Sequence, residues 1–509
     1  MKVFREMVSL VTKQQLNKID VIDYRQSLVT GNLYQQLFNG ISDETFTTDE
    51  QAASALYQTS PSDKKYQMLK SRLKDRLVNT LFFINHKKIQ ESAYQQAVYQ
   101  CNRNYFCAKL LLTHGARTSA IAMARNTLSQ AEKFDLNEIA FLCARMLRHH
   151  YSMAGLKKEY QHYHNIVTES LKKVRGENRA EFMYGSLVAQ FGRSKAIQPE
   201  LEQTAKDYFN QCKELAKYQH TFHLTILHYR VGMLYYQIIG NYRLLLNLCN
   251  RLQQYSKNHP KFYVASREGE VSLLKMVCCL HLRNFKLGKQ NAEEALQRYK
   301  KGSNNWFVVL ENYFMLATHA GKFEKASLIV EEAMHHQRFQ FLSPEKHETW
   351  KIYEAYINYL VPGEQKTKDF KILKFLNEVP IYSKDKAGFY PAILIAQILY
   401  IIDRGDEDKL ERTIESLRVF SSRYLSGKKA PRTTLFIKML RQLVNYNYDP
   451  KKVKIRAAPY LEKLKAVGKI SSEEIDSMEI IPYETAWSII LSRLENNKEV
   501  HNKLPYRSS

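Results

Sequence analysis

Turn-forming residues are scarce in this chain. Its 509 residues include only 18 glycines and 12 prolines, and no proline stands between Pro61 and Pro199. A β-rich chain of that length needs more tight turns, so long helices are expected. Long apolar runs are missing as well. The longest, AILIAQILYII at 392–402, is too short to span a bilayer and reads as a buried helix, so no membrane partner is expected. The stretch MKVFREMVSLVTKQQLNKID is charged throughout and has no apolar core ahead of a small-residue cleavage site, which argues against a signal peptide. Cysteine occurs at Cys101, Cys107, Cys143, Cys212, Cys249, Cys278 and Cys279, with no CxxC pair. Reduced, buried thiols in a cytoplasmic protein are the expectation.

Signatures of chemistry are missing too. No HExxH, phosphate-cradling GxxxxGK[ST], GxGxxG or GxSxG occurs. His220, His223 and His228 in HTFHLTILH have no carboxylate or cysteine to complete a metal site, and read as satisfied helix histidines. The adjacent pairs His149-His150 and His335-His336 point to different faces of a helix. No catalytic, cofactor-binding or metal-binding residue is assigned, and a protein that is not an enzyme is expected.

Positive charge, by contrast, is abundant. The formal net charge is +25, which speaks to partners and solubility, not to fold. It is unevenly placed. Residues 1–50 carry a net −2, whereas 61–125 and 423–456 each carry +9.

A repeat runs through the middle of the chain. In ENYFMLATHAGKFEKASLIVEEAMHH (311–336) an apolar helix ends at Gly321, and a second offers Phe323, Ala326, Val330 and Ala333 on one face. The same spacing follows Arg283-Asn284 (Phe285, Gly288, Ala292, Ala295) and Gly240 (Tyr242, Leu245, Cys249, Leu252). Upstream, Gly115 and Gly155 mark similar turns. The landmarks at 115, 155, 240, 283 and 321 imply a period near 40, if a further turn lies near 197. Two helices per unit at that period is the mark of a solenoid; the alternative is an irregular helical bundle.

Residues 100–340 resemble the tetratricopeptide-repeat (TPR) family, best at Gly321, Phe323, Ala326 and Ala333. The unit is longer than the family's 34 residues, Leu310 holds the early tryptophan position and Phe314 the glycine position. The resemblance implies an all-α, right-handed solenoid of TPR-like hairpins with a concave binding surface for a protein or peptide. The expected organisation is a helical N-terminal segment at 1–90, the array at 91–360, and a C-terminal helical continuation and cap at 361–509. Within the last, 361–369 reads as a linker, 422–434 and 447–459 as basic loops, and 484–497 as the capping helix.

Residues 47–84 read as a short helix opened by Thr-Asp-Glu, a Ser-Pro-Ser-Asp turn and a long basic helix. On that helix Tyr66, Leu69, Leu73, Leu77 and Leu81 form a stripe, flanked by Lys70, Arg72, Lys74 and Arg76. This segment resembles the helix-turn-helix part of bacterial activators that precedes TPR-like repeats, which would make those four cations nucleic-acid contacts. Three functions remain open: a protein that binds a peptide or macromolecule, a DNA-binding regulator, and a basic scaffold for RNA or acidic protein. For the first, Arg230, Asn312, Lys351 and Tyr356 are the expected concave-surface contacts. Tyrosine clusters such as YEAYINYL (353–360) and YQHYH (160–164) are expected to pack mostly in the core, with the remainder lining a groove.

Overall fold

The computed structural model describes residues 33–81, 92–191, 199–361, 390–424, 431–470 and 479–503; among these the chain forms twenty α-helices and no strand. The all-α class expected from the scarcity of turn residues is correct. The chain divides into two units. One comprises Met1–Leu171 with Lys261–Tyr263, the other Lys172–Pro260 with Val264–Ser509. The boundary expected at 90/91, the turn near 197 and most of the linker at 361–369 lie outside the described residues.

The first unit opens with three helices, α1 (Leu33–Ser42), α2 (Asp49–Tyr57) and α3 (Lys64–Leu81). Thr48 caps α2 as its sequence predicts. The Thr48 hydroxyl accepts from the Gln51 N–H, and the Gln51 carboxamide oxygen accepts from the Thr48 N–H. Asp63 starts α3 by accepting from the amides of Lys65 and Tyr66. The predicted stripe faces inward: Tyr66, Leu69, Leu73 and Leu77 are buried against Leu37, Ile41, Ala52 and Ala53. Each such side chain contributes roughly 1.5–3 kcal/mol, which holds the three helices together. The side chain of Leu81 lies outside the described residues.

Next come α4 (Ala93–Thr113), α5 (Arg117–Lys133), α6 (Asn137–Met153) and α7 (Lys157–Phe191). The second unit continues with α8 (Pro199–Gln219), α9 (Phe222–Ile238), α10 (Tyr242–Asn258), α11 (Ala265–His281), α12 (Phe285–Arg298), α13 (Asn304–His319), α14 (Phe323–Met334) and α15 (Pro344–Leu360). Then follow α16 (Tyr390–Arg404), α17 (Glu407–Tyr424), α18 (Pro431–Asn445), α19 (Pro450–Ile470) and α20 (Tyr483–Lys503). From α4 to α6 and from α8 to α15, helices pack mainly on their neighbours in sequence.

The five turn landmarks share one geometry. Gly115, Gly155, Gly240, Arg283 and Gly321 all have positive φ, and each ends a helix through the same pair of hydrogen bonds. At Gly321 its own N–H reaches the Thr318 carbonyl and the Lys322 N–H reaches Ala317, at 3.1 and 2.9 Å. Gly240, Gly155, Gly115 and Arg283 repeat the pattern. This is the left-handed helix stop that satisfies otherwise orphaned carbonyls. Asp135, between α5 and α6, makes the same stop at φ 51; lacking glycine, it left no signal in the sequence. The small residues after the turns are buried, with Ala292, Ala295, Ala326 and Ala333 fully enclosed.

One expectation fails, at 447–459. Within the step of 85 between landmarks, α7 runs 35 residues without a break. Gly176 in its middle is not a breaker. A Cβ there would run into the Gln219 carboxamide, so this glycine serves a close approach. The stretch 447–459 is not a loop either. It turns at Asn447 and Tyr448, both at positive φ, and then becomes α19. Asp449 caps this helix by accepting from the amides of Lys451 and Lys452. Val453, Ala457 and Leu464 are fully buried; their helical spacing is hidden among lysines and arginines.

The C-terminal helices depart from neighbour-only packing, because α20 also packs on α16 and α18. Arg432 on α18 is 4 % exposed. Its Nε and one terminal nitrogen grip Glu479 at 2.9 and 2.7 Å, that nitrogen also reaches Glu484 at 2.8 Å, and the other donates to the Leu464 carbonyl at 2.9 Å. The segment before α20 is tied to α13 as well: the Thr318 hydroxyl donates to the Ile480 carbonyl at 2.8 Å.

Candidate functional site

The four residues expected on a concave surface differ in exposure and partners. Tyr356 is a correction: it is 1 % exposed, and its hydroxyl donates to the Ala392 carbonyl at 2.7 Å. Tyr400 on α16 returns the arrangement to the Ala355 carbonyl, also at 2.7 Å. The apolar helix α16, buried from Pro391 to Ile402, covers this face of α15. Arg230 is matched by Glu270 and lies 5.5 Å from the Tyr184 ring. The Asn312 amide donates back to the Val308 carbonyl at 2.9 Å. Lys351 alone of the four is exposed.

The cations of α3 are also largely engaged. Lys70 pairs with Asp49 at 2.7 Å. Burial raises the Asp49 pKa, but hydrogen bonds from Lys70 and Tyr66 outweigh it and bring it down to about 2. Arg72 hydrogen-bonds the Tyr34 phenol, and the Arg76 guanidinium lies 4.5 Å from the Tyr34 ring centre. Lys74 is exposed. The histidines of HTFHLTILH serve separate roles. His223 faces Glu181 at 2.8 Å, His228 stacks on Phe209 with ring centres 5.0 Å apart, and His220 takes a positive φ after α8. Among the described residues no group of three or more histidine, cysteine, aspartate or glutamate side chains is placed to hold a metal ion. No helix described is long and apolar enough to cross a membrane. The seven cysteines are free, and all but Cys107 are buried.

A recess lies in the first unit. There α4 and α6 both pack on α5 and touch each other. The start of α7 joins them through Tyr151 and Tyr163, whose rings stack at 5.3 Å. The recess between α4, α6 and α7 has a volume of about 740 Å³. Helical spacing decides what faces it. Tyr105, Lys109 and Thr113 recur every fourth residue on α4, and Arg145 and His149 do so on α6, with Arg148 beside them. From α7 come Tyr160 and His164, stacked at 6.0 Å. Leu112, Leu142 and Met146 supply an apolar floor.

The electrostatics are one-sided. Lys109, Arg145 and Arg148 line the recess, and among the described residues no aspartate or glutamate does. Lys109 and Arg145 lean instead on their own helices' rings, 6.0 Å from the Tyr105 centre and 5.4 Å from Phe141. His164 Nδ1 is buried and makes no hydrogen bond. Beside the recess, burial and then the charges of Arg117 and Arg125 push the His150 pKa down, as a local excess of positive charge must. Such a surface holds an anion readily, because guanidinium and ammonium donors already converge without a carboxylate to satisfy them.

Sequence reading found this site only in part. It flagged YQHYH for its tyrosines, and Tyr160 and His164 of that cluster do line the recess. It read His149-His150 only as a pair on different helix faces and left out that Arg145, Arg148 and His149 fall on one face. That spacing was the available signal. No protein-family model, curated protein or solved structure matches this chain.

Proposed function

We propose that this chain is a non-enzymatic, TPR-like helical-repeat protein whose first unit receives an anionic macromolecular partner in the α4–α6–α7 recess. One observation carries the reading: three permanent cations line a concave site that contributes no carboxylate. The repeated helix stops and neighbour packing support a right-handed array of hairpins, the architecture that exposes such inner surfaces. The seven free thiols support a cytoplasmic setting. A DNA-reading role for α3 has less to work with, since Lys70 is held by Asp49 and Arg72 and Arg76 gather around Tyr34.

The test is recovery of the full chain from its native cell, with identification of what co-purifies. The combined Lys109→Ala, Arg145→Ala and Arg148→Ala variant, with wild-type helicity, is expected to lose the principal partner. If it retains the same partners in the same amounts, the recess is not the working surface.

A further inference from the structure

The lining of the recess also points to what kind of anion it takes. An extended peptide presents backbone N–H and C=O groups, which side-chain amides of asparagine and glutamine satisfy best because each offers both donor and acceptor. Among the described residues no asparagine or glutamine lines this recess. Its polar groups are three cations, two imidazoles and four hydroxyls, set among rings and an apolar floor. A nucleoside phosphate divides into the same two parts. Its phosphate is a dense anion suited to Arg145, Arg148 and Lys109, and its base is a flat π-surface suited to Tyr105 and the stacked Tyr160–His164 pair.

We infer that the α4–α6–α7 recess binds nucleoside phosphate units, with the base against Tyr160 and His164 and the phosphate on Arg145 and Arg148. Arg145 and Arg148 are three residues apart on α6 and so emerge on one face. They approach the same volume as Tyr160 and His164 from a neighbouring helix. The buried, unpartnered Nδ1 of His164 gives the site a polar atom that a base edge or ribose hydroxyl can satisfy. A recess of about 740 Å³ admits one or two unpaired nucleotides but not a duplex, whose bases are stacked away inside. The chain's net charge of +25 favours a polyanionic source over a neutral one. The inference rests on the binding role proposed above and names its ligand chemistry.

The experiment measures anisotropy of a labelled, single-stranded ten-nucleotide oligonucleotide on the full chain across a salt series. A duplex of the same length, a free nucleoside triphosphate and a ten-residue polyglutamate serve as competitors. The single strand is expected to bind and to outcompete the duplex and polyglutamate. If the free nucleotide competes as well as the oligonucleotide, the source is a free nucleotide; if only the oligonucleotide competes, it is a strand. Both outcomes support the inference. Two variants separate charge from stacking. Arg145→Ala with Arg148→Ala should lower the slope of log affinity against log salt by about 0.7 for each phosphate that the two arginines hold on a single strand. Tyr160→Leu should weaken binding about tenfold with the slope unchanged. Polyglutamate binding as tightly as the oligonucleotide, with Tyr160→Leu silent, overturns the inference while leaving an anion-binding recess intact. Equal binding of duplex and single strand, or no response to either variant, also overturns it. The proposed role itself fails separately, through the unchanged co-purification described above.

Discussion

Replacing Arg432 by methionine should be among the most damaging single substitutions in the second unit. The side chain is 5 % exposed and Glu479 is 3 % exposed. Methionine fills much of the same volume but removes every donor. Among the described residues the Glu479 carboxylate would then keep the Tyr483 N–H at 3.1 Å, and the Leu464 carbonyl would lose the arginine's donor. Removing one member of a buried ion pair costs about 3–5 kcal/mol, because the remaining charge is stranded. Glu484, at 25 % exposure, can rehydrate and adds little. Replacing Glu479 by leucine in the same chain should restore most of the loss, since a buried pair exchanged for apolar groups of similar volume is often neutral.

Urea unfolding is the assay, followed by the fluorescence of Trp487, which is buried in α20 beside this cluster. With Trp306 and Trp350 changed to phenylalanine in all variants, the signal reports the C-terminal helices. The reasoning is refuted if Arg432→Met lies within about 0.5 kcal/mol of its parent, the range of an ordinary surface substitution. It is refuted equally if the double variant is less stable than the single one. Acid should reproduce part of the effect. Burial raises the Glu484 pKa, but the Arg432 hydrogen bond and charge outweigh it and leave it lowered. Its contribution is therefore complete above the ordinary glutamate range and is lost as pH falls through the depressed folded value.

Burial, with Lys213 behind it, lowers the His228 pKa to about 4, so the folded state keeps this ring neutral. Stability is then full above pH 6.5 and falls towards pH 4, by about 3 kcal/mol at most; the stability difference between wild type and His228→Leu should shift by that order across the interval, and a pH-independent difference would refute it. At Gly321, φ is +67° and a Cβ would meet nothing within 4 Å, so Gly321→Ala should cost about 1 kcal/mol from backbone strain alone. Gly321→Asn should cost less, and thermal melts that rank asparagine below alanine would contradict this.

The elements that the sequence announced clearly are those fixed by local chemistry. Thr48 and Gln51 form their capping box, and Tyr66, Leu69, Leu73 and Leu77 turn inward together. The glycine landmarks all prove to be left-handed helix stops. Each of these is decided within about five residues of chain. Asp135 makes the same stop without glycine, because the six-residue hydrogen-bond closure fixes the turn and glycine only eases it. Conversely, Gly176 looks like a stop and is not one, since its meaning is set by Gln219, distant in sequence.

The same contrast explains the functional residues. Tyr356 and Arg145 both stand on helix faces that the sequence leaves unassigned, and a helical period says only which residues share a face. What meets that face is tertiary information. For Tyr356 the answer was nevertheless available in principle. The run at 392–402 is apolar on all sides, with only Gln397 as a polar side chain before Asp403, and a helix of that kind must be covered all round. It therefore needs a neighbour for every face, and the tyrosine-rich helix α15 supplies one. The reciprocal hydroxyls of Tyr356 and Tyr400 are the polar consequence, each finding a carbonyl on the opposing helix where water is excluded. Arg145 and Arg148 are the opposite case. Among the described residues their face lines a recess, where the cations that α4 and α6 bring meet no lining carboxylate.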